Sequence, residues 1–180
     1  FHSHDRFGKR IDVAKFHPAY HQLMRTAIEA GAHSLPWTTH SSASDKTEEK
    51  HPDKKGAHVA RAAMEYLHNQ ADSGSGCPLT MTFAAVPAIK TTPSLAKDWL
   101  PKITARHYDE RNIPWFEKEG VTIGMAMTEK QGGSDVRANT TKAMPIDAAK
   151  TGPGEAYELV GHKWFCSAPM CDAFLVLAQT

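Results

Sequence analysis

The 180 residues carry 21 Lys plus Arg against 20 Asp plus Glu, a formal charge of +1, which is not the cationic excess of a nucleic-acid-binding surface. A composition 41% hydrophobic and 23% charged excludes wholesale disorder and predicts a globular protein. The longest apolar run, Ala173 to Ala178, is far short of the roughly 20 residues that cross a bilayer.

No basic-then-apolar leader opens the chain, so a soluble, cytoplasmic protein without membrane contact is expected. The chain begins at Phe1 and stops at Thr180 directly after a strand-like apolar run, which reads as a piece of something longer. Cys77, Cys166 and Cys171 lack the spacing of a zinc or redox pair and are expected as reduced thiols packed among apolar groups.

His2-Ser-His4 reads as a mobile end rather than a site. Between His17 and His33, Tyr20, Leu23, Met24, Ala27 and Ile28 recur at helical spacing, with Pro18 in the first turn and Gly31 as the stop. Residues 38–55 are polar, with four acids against four lysines and no apolar period, and predict a flexible loop. A second helix is expected over roughly 57–72, with Val59, Ala63, Tyr66, Leu67 and Gln70 on one face. A turn follows at Asp72 to Gly76.

Pro78 to Ile89 is apolar nearly all round and predicts a buried helix, bent or ended near Pro87. Ser94 is the expected N-cap of a further helix, in which Pro101 sits awkwardly. Near Gly120 the period changes to two: Val121, Ile123, Met125 and Met127 alternate with small residues, a strand covered on both faces. Further strands are expected in 139–144, 156–164 and 173–179. Helices followed by strands predict an α+β fold rather than a parallel α/β sheet.

The segment from Gly124 to Val136 holds the chemistry. A strand runs into a loop with Gly132 and Gly133, which allow a sharp turn and a close ligand approach, flanked by the Thr128 and Ser134 hydroxyls. On the residues alone, a ligand loop and a plain β-turn are both open. Neither a P-loop nor a Gly-x-Gly-x-x-Gly fingerprint is present. In Gly161-His-Lys-Trp-Phe-Cys-Ser167, two aromatics beside a hydroxyl suit a flat heteroaromatic ligand, and equally a packed aromatic pair.

Together, Met127-Thr-Glu-Lys-Gln-Gly-Gly-Ser-Asp-Val136, Asn139-Thr-Thr141 and Gly161-His-Lys-Trp-Phe165 resemble the acyl-CoA dehydrogenase flavoprotein family, in its AidB-like adaptive-response branch. His17-Pro-x-Tyr-His21, Cys77-Pro-x-Thr-Met-Thr-Phe-Ala-Ala85 and the segment from Asp172 to Thr180 agree with the same branch. The resemblance implies an N-terminal helical domain over 1–120 and the first part of a central antiparallel β-barrel over 121–180. It also implies a homotetramer and FAD as cofactor.

Met127, Thr128, Gly132, Gly133, Ser134, Val136, Phe165, Cys166 and Ser167 are then the cofactor-binding positions. Thr128 falls where the family holds the pyrimidine side of the flavin, Ser134 where its loop nears the pyrophosphate or acyl-CoA, and Ser167 where a hydroxyl meets flavin N5. Phe165 replaces the tryptophan that most members place against the flavin. The family's base, a Glu further along the chain, has no match before Thr180; Glu129 and Asp135 read as loop-capping or surface groups.

The implied function is that of an FAD-binding oxidoreductase-like protein of the DNA-alkylation response. It would have weak dehydrogenase activity on an isovaleryl-like acyl-CoA and would contact double-stranded DNA through a region beyond Thr180. The alternatives are a working short- or branched-chain acyl-CoA dehydrogenase and a flavin-free structural module. His17 and His21 lack a third ligand, so no metal is expected. Trp37, Trp99, Trp115 and Trp164 read as packing residues.

Overall fold

A computed structural model describes residues 1–38 and 56–180. The loop expected over 38–55 lies, Thr38 apart, outside the described residues. The chain opens on a hairpin instead of a mobile end: β1 (His2–His4) pairs antiparallel with β2 (Arg10–Val13). The Asp5 carboxylate accepts the N–H groups of Phe7 and Lys9 and so shapes the turn. β1 carries no apolar residue and β2 alternates Arg10-Ile11-Asp12-Val13 over only four residues, so the side chain of a turn aspartate does much of the local work.

Helix α1 (Pro18–Ala30) starts where expected: the His17 ring accepts the Ala19 N–H, and Gly31 closes the helix at φ +85°. Its inner face buries Met24, Ala27 and Ile28. Helix α2 (Ala57–Ala71) also forms, but with its predicted face turned outward. Val59, Tyr66 and Leu67 are exposed, whereas Arg61, Met64, Glu65 and His68 are half-buried. Arg61 accounts for this orientation. It donates to the Ala32 carbonyl (3.0 Å), pairs with Glu65 (3.2 Å) and lies 4.2 Å over the Phe83 ring. A guanidinium held by so many partners anchors a helix face that hydropathy alone assigns to solvent.

Helix α3 (Gly76–Lys90) is buried along most of its length, and Pro87 neither ends nor shortens it. Helix α4 (Pro93–Ile103) begins at Pro93 with Thr92, not Ser94, in the cap position, and carries Pro101 in its last turn. One core cluster joins α1, Leu79 and Tyr108. A second joins α3 and Ile103 to Val121 and Ile123, with Trp37, Trp99 and Trp115 packed against it. Trp164 instead stands exposed. The thiols are free as expected, but Cys77 and Cys166 are exposed rather than packed; Cys171 is half-buried. Exposure on short strand ends and helix starts is set by neighbours that a local reading of hydropathy does not see.

The strands follow: β3 (Ile123–Ala126), β4 (Lys142–Pro145), β5 (Tyr157–Val160) and β6 (Ala173–Val176). β3 runs parallel to β6, and β4 antiparallel to β5. Their extensions close a circuit of pairings, since Gln179 beyond β6 bridges Lys142, and Lys163 beyond β5 bridges Glu129 beyond β3. Besides the apolar packing of the second core cluster, one polar side chain of α3 bonds directly to β3. Thr82 of α3 accepts the Ile123 N–H at 3.0 Å and donates to the Pro78 carbonyl at 2.7 Å, so the free edge of β3 is satisfied by a helix. A buried ion pair, Lys118 to Asp172 (2.7 Å), ties the approach to β3 to the approach to β6, and Asp172 also accepts the Thr122 N–H. The architecture is α+β.

Candidate functional site

The two segments singled out in the sequence meet. Beyond β3 the chain continues as Met127-Thr128-Glu129; beyond β5 it continues through Lys163-Trp164-Phe165. The Trp164 N–H donates to the Thr128 carbonyl at 3.0 Å, and Glu129 bridges Lys163 antiparallel. Thr128 and the run toward Ser167 are therefore neighbouring strand ends, although 39 positions separate them in sequence.

After Glu129 the loop turns at once, with the Gly132 N–H donating to the Glu129 carbonyl. Gly133 folds back on Thr128: a Cβ there would lie 2.8 Å from the Thr128 hydroxyl. Asp135 caps the short 3₁₀ turn Val136–Ala138 by accepting the Arg137 N–H. Ser134 is exposed and Val136 half-buried, both further along the loop than Thr128. Of the nine expected positions, Met127, Thr128 and Gly133 thus gather beside the segment that leads through Phe165 and Cys166 to Ser167.

Ser167 faces a different neighbour as well. With Cys77 and Pro78 of α3, Tyr20 of α1, Asp72 and Met170, it lines a cavity of about 730 Å³. The next residue, Ala168, holds φ +55°, a left-handed conformation that costs a non-glycine residue about 1 kcal/mol or more. A second cavity, about 500 Å³, lies behind the shared wall of Phe16, Tyr20, Pro169 and Met170 and includes none of the expected site residues.

A flat heteroaromatic ring needs apolar area with a few directed polar groups. Met127, Trp164 and Phe165 supply the area: each is an exposed large apolar side chain, and Phe165 is 60% exposed. Thr128, just beyond β3, and Ser167, four residues beyond the Lys163 bridge, supply half-buried hydroxyls. The donor set therefore fits an isoalloxazine. No cluster of three or more His, Cys, Asp or Glu that could hold a metal ion occurs among the described residues.

Sequence reasoning missed the groups behind the site. Glu129 is buried, and its carboxylate accepts the N–H and hydroxyl of both Thr140 and Thr141 as well as the Lys163 ammonium. Burial opposes its ionisation, but these donors outweigh burial and hold the carboxyl below the usual carboxylate range. It caps residues 140–141 from a buried position rather than standing at the surface. Asn139 donates to the Met127 carbonyl at 2.7 Å and is equally buried. Only the strand pairing brings these residues together.

Comparison with known proteins follows the same division. The model of the adaptive response protein AidB N-terminal domain matches residues 1–110, and that of the acyl-CoA dehydrogenase middle domain matches residues 124–180. AidB of Escherichia coli (strain K12) is 44% identical over 178 residues, 98% of this chain and 30% of that protein. Acyl-CoA dehydrogenase family member 11 of Caenorhabditis elegans is 31% identical over 176 residues, 97% of this chain and 25% of that one.

Two solved structures superpose well. Bd2924 in its apo form gives a TM-score of 0.72 at 29% identity, over 98% of this chain and 31% of the other. Caenorhabditis elegans ACDH-11 in complex with C11-CoA gives 0.73 at 27% identity, over 98% and 26%. The chain spans less than a third of the length of each of these relatives.

Proposed function

The chain belongs to the acyl-CoA dehydrogenase family, in its AidB-type branch, and from that membership we propose that it supplies the flavin-holding part of an FAD protein that takes acyl-CoA thioesters and serves the DNA-alkylation response. The observation that carries the flavin reading is the main-chain bond from Trp164 to Thr128, which makes the Thr128 end the neighbour of the segment bearing the exposed Trp164 and Phe165. In this reading Thr128 and the loop from Met127 through Gly132, Gly133, Ser134 and Val136 hold one edge of FAD. Phe165, Cys166 and Ser167 hold the other, with the Ser167 hydroxyl at N5.

FAD supplies hydride acceptance; the protein supplies fixed hydrogen-bond donors that stabilise the charge gained on reduction. The cavity that Ser167 shares with Tyr20, Cys77 and Met170 is the proposed acyl pocket. Burial raises the Tyr20 pKa above the usual phenol range, so the phenol stays a neutral wall group. The acyl-CoA reading is supported by the C11-CoA held in the Caenorhabditis elegans relative. Duplex DNA is proposed to contact residues outside this chain, consistent with its +1 charge.

The test uses the intact protein. It should purify with, or take up, a chromophore absorbing in the flavin region; acyl-CoA should bleach that band only slowly, and salt-dependent DNA binding should accompany it. Rapid bleaching without DNA affinity would favour a working dehydrogenase instead. Failure to take up FAD at all would leave a structural module. Ser167→Ala should retain the fold and shift the flavin spectrum and potential; an unchanged spectrum and potential would remove Ser167 from the site.

A further inference from the structure

The proposed cofactor contacts are exposed or half-buried groups on two strand ends, and such ends fray unless something behind them fixes their separation. What lies behind them is a buried polar knot. The Glu129 carboxylate takes the Thr141 hydroxyl at 2.6 Å and N–H at 2.9 Å on one oxygen, and the Thr140 N–H at 2.7 Å and hydroxyl at 2.9 Å on the other. Lys163 adds its ammonium at 3.0 Å and reaches the Met127 carbonyl at 3.4 Å. Asn139 donates to that same carbonyl.

Glu129 is the residue after Thr128, and Lys163 precedes Trp164 and Phe165. One carboxylate therefore pins both strand ends to a third segment, 140–141. We infer that Glu129 is a positioning residue for the flavin: through Lys163 and the two threonines it sets the spacing between the Thr128 and Ser167 ends that must contact one rigid ring. The inference rests on the flavin reading above.

The physical basis is that a buried carboxylate with six donors, the sixth being Gln131 Nε2 at 3.2 Å, has no equivalent rearrangement open to it. Removing its charge leaves the Lys163 ammonium, 8% exposed in its side chain, without a counter-ion. The donors on Thr140 and Thr141 then turn elsewhere, and the strand ends are free to slide apart.

The test compares the intact wild-type protein, Glu129→Gln and a control, Ile103→Val, a fully buried core position that makes none of the knot's hydrogen bonds. Each is measured for FAD dissociation constant, flavin absorption maxima, midpoint potential and thermal unfolding. Glu129→Gln is expected to weaken FAD binding by about tenfold or more, the scale of one or two lost charge-assisted hydrogen bonds, and to shift the flavin bands and potential. Ile103→Val should lower the unfolding temperature and leave all flavin properties as in the wild type.

The double variant Glu129→Gln/Lys163→Met removes the stranded ammonium. It should recover part of the lost thermal stability while FAD binding stays weak, an uncoupling that a purely structural role would not give. A Glu129→Gln protein with lowered stability but wild-type FAD affinity, spectrum and potential overturns the inference. If Glu129→Gln does not fold, Lys163→Met alone is read against the same criteria, and unchanged flavin properties again overturn it. A wild-type protein that takes up no FAD defeats the flavin reading itself, and the inference with it.

Discussion

Gly133 and Thr128 show how far a single atom can matter here. The glycine folds back on the threonine so tightly that any Cβ would stand 2.8 Å from the hydroxyl, and 3.4 Å from the methyl, of Thr128. A β-branched residue at 133 must push the Thr128 side chain out of its present rotamer or open the loop. Gly133 is exposed, so the cost to the fold is that of displacing Thr128, about 0.5–1.5 kcal/mol. Gly133→Val is accordingly expected to stay folded with a slightly lowered unfolding temperature and to lose most of its bound flavin. The ratio of flavin to protein absorbance in the purified intact protein checks this. Full occupancy with unchanged stability would show that the Thr128 hydroxyl takes no part in holding the ring.

At the scale of elements, the polar knot depends on how closely β5 is allowed to approach the start of β4. Gly161 is the point of contact: a Cβ on it would lie 2.7 Å from the Thr141 Cα and would overlap the Thr141 hydroxyl. The obstacle is backbone, which cannot swing aside as a flexible side chain can. Gly161→Ala should destabilise the protein by about 1–3 kcal/mol, the usual cost of overpacking, and this is measured as a lowered urea midpoint at unchanged slope. A substitution without effect on the midpoint would mean that the two strands are less closely held.

The elements themselves were legible to different degrees, for physical reasons. α1 carried its cap, its stripe and its terminal glycine in adjacent residues, and all three appear in place. β3 announced itself by alternation. The hairpin of β1 and β2 did not, because β1 is three exposed polar residues and the Ile11 and Val13 alternation of β2 is only four residues long. The orientation of α2 was misread because Arg61 buries itself through partners 29 and 22 positions away, which periodicity within the helix does not contain. Ser94 looked like a cap because capping residues are recognised by type, while Pro93, preceded by Thr92, sets the start by geometry.

At the scale of the whole molecule, the contact loops of the site could be read from motif and resemblance, and the groups that support them could not. Glu129, Asn139 and Lys163 are ordinary polar residues until strand pairing brings them together. The same long-range logic governs how the molecule answers to pH, and His33 is the group that shows it. Its Nε2 lies 3.0 Å from the Ala105 carbonyl, which can only accept, so Nε2 carries the proton and Nδ1 is bare. Nδ1 is buried without a hydrogen-bond partner among the described residues.

Burial lowers the His33 pKa to about 4; the Ala105 bond opposes this, and the nearby Arg106 and Arg61 charges reinforce it. In the unfolded chain the ring titrates near 6.5. Above that pH both states are neutral and the group adds no pH dependence. Between 6.5 and about 4 the unfolded chain gains a proton that the folded one refuses, so stability falls as pH falls, by about 3 kcal/mol over the full window.

Carboxylates enter only at the foot of this window: Asp109, held down to about 2 chiefly by its hydrogen bonds to Arg111 against the opposing effect of burial, and Glu129, held low by its donors, begin to lose their contributions as pH falls toward their unfolded values of 3.8 and 4.5. Urea unfolding at intervals from pH 7.5 to 4.5 should therefore show a midpoint that drops with acidification below about 6.5, and His33→Gln should flatten the drop. If wild type and variant show the same slope, the ring accepts its proton in the folded state, and the packing of α1 against residues 105–108 is looser than the geometry here requires.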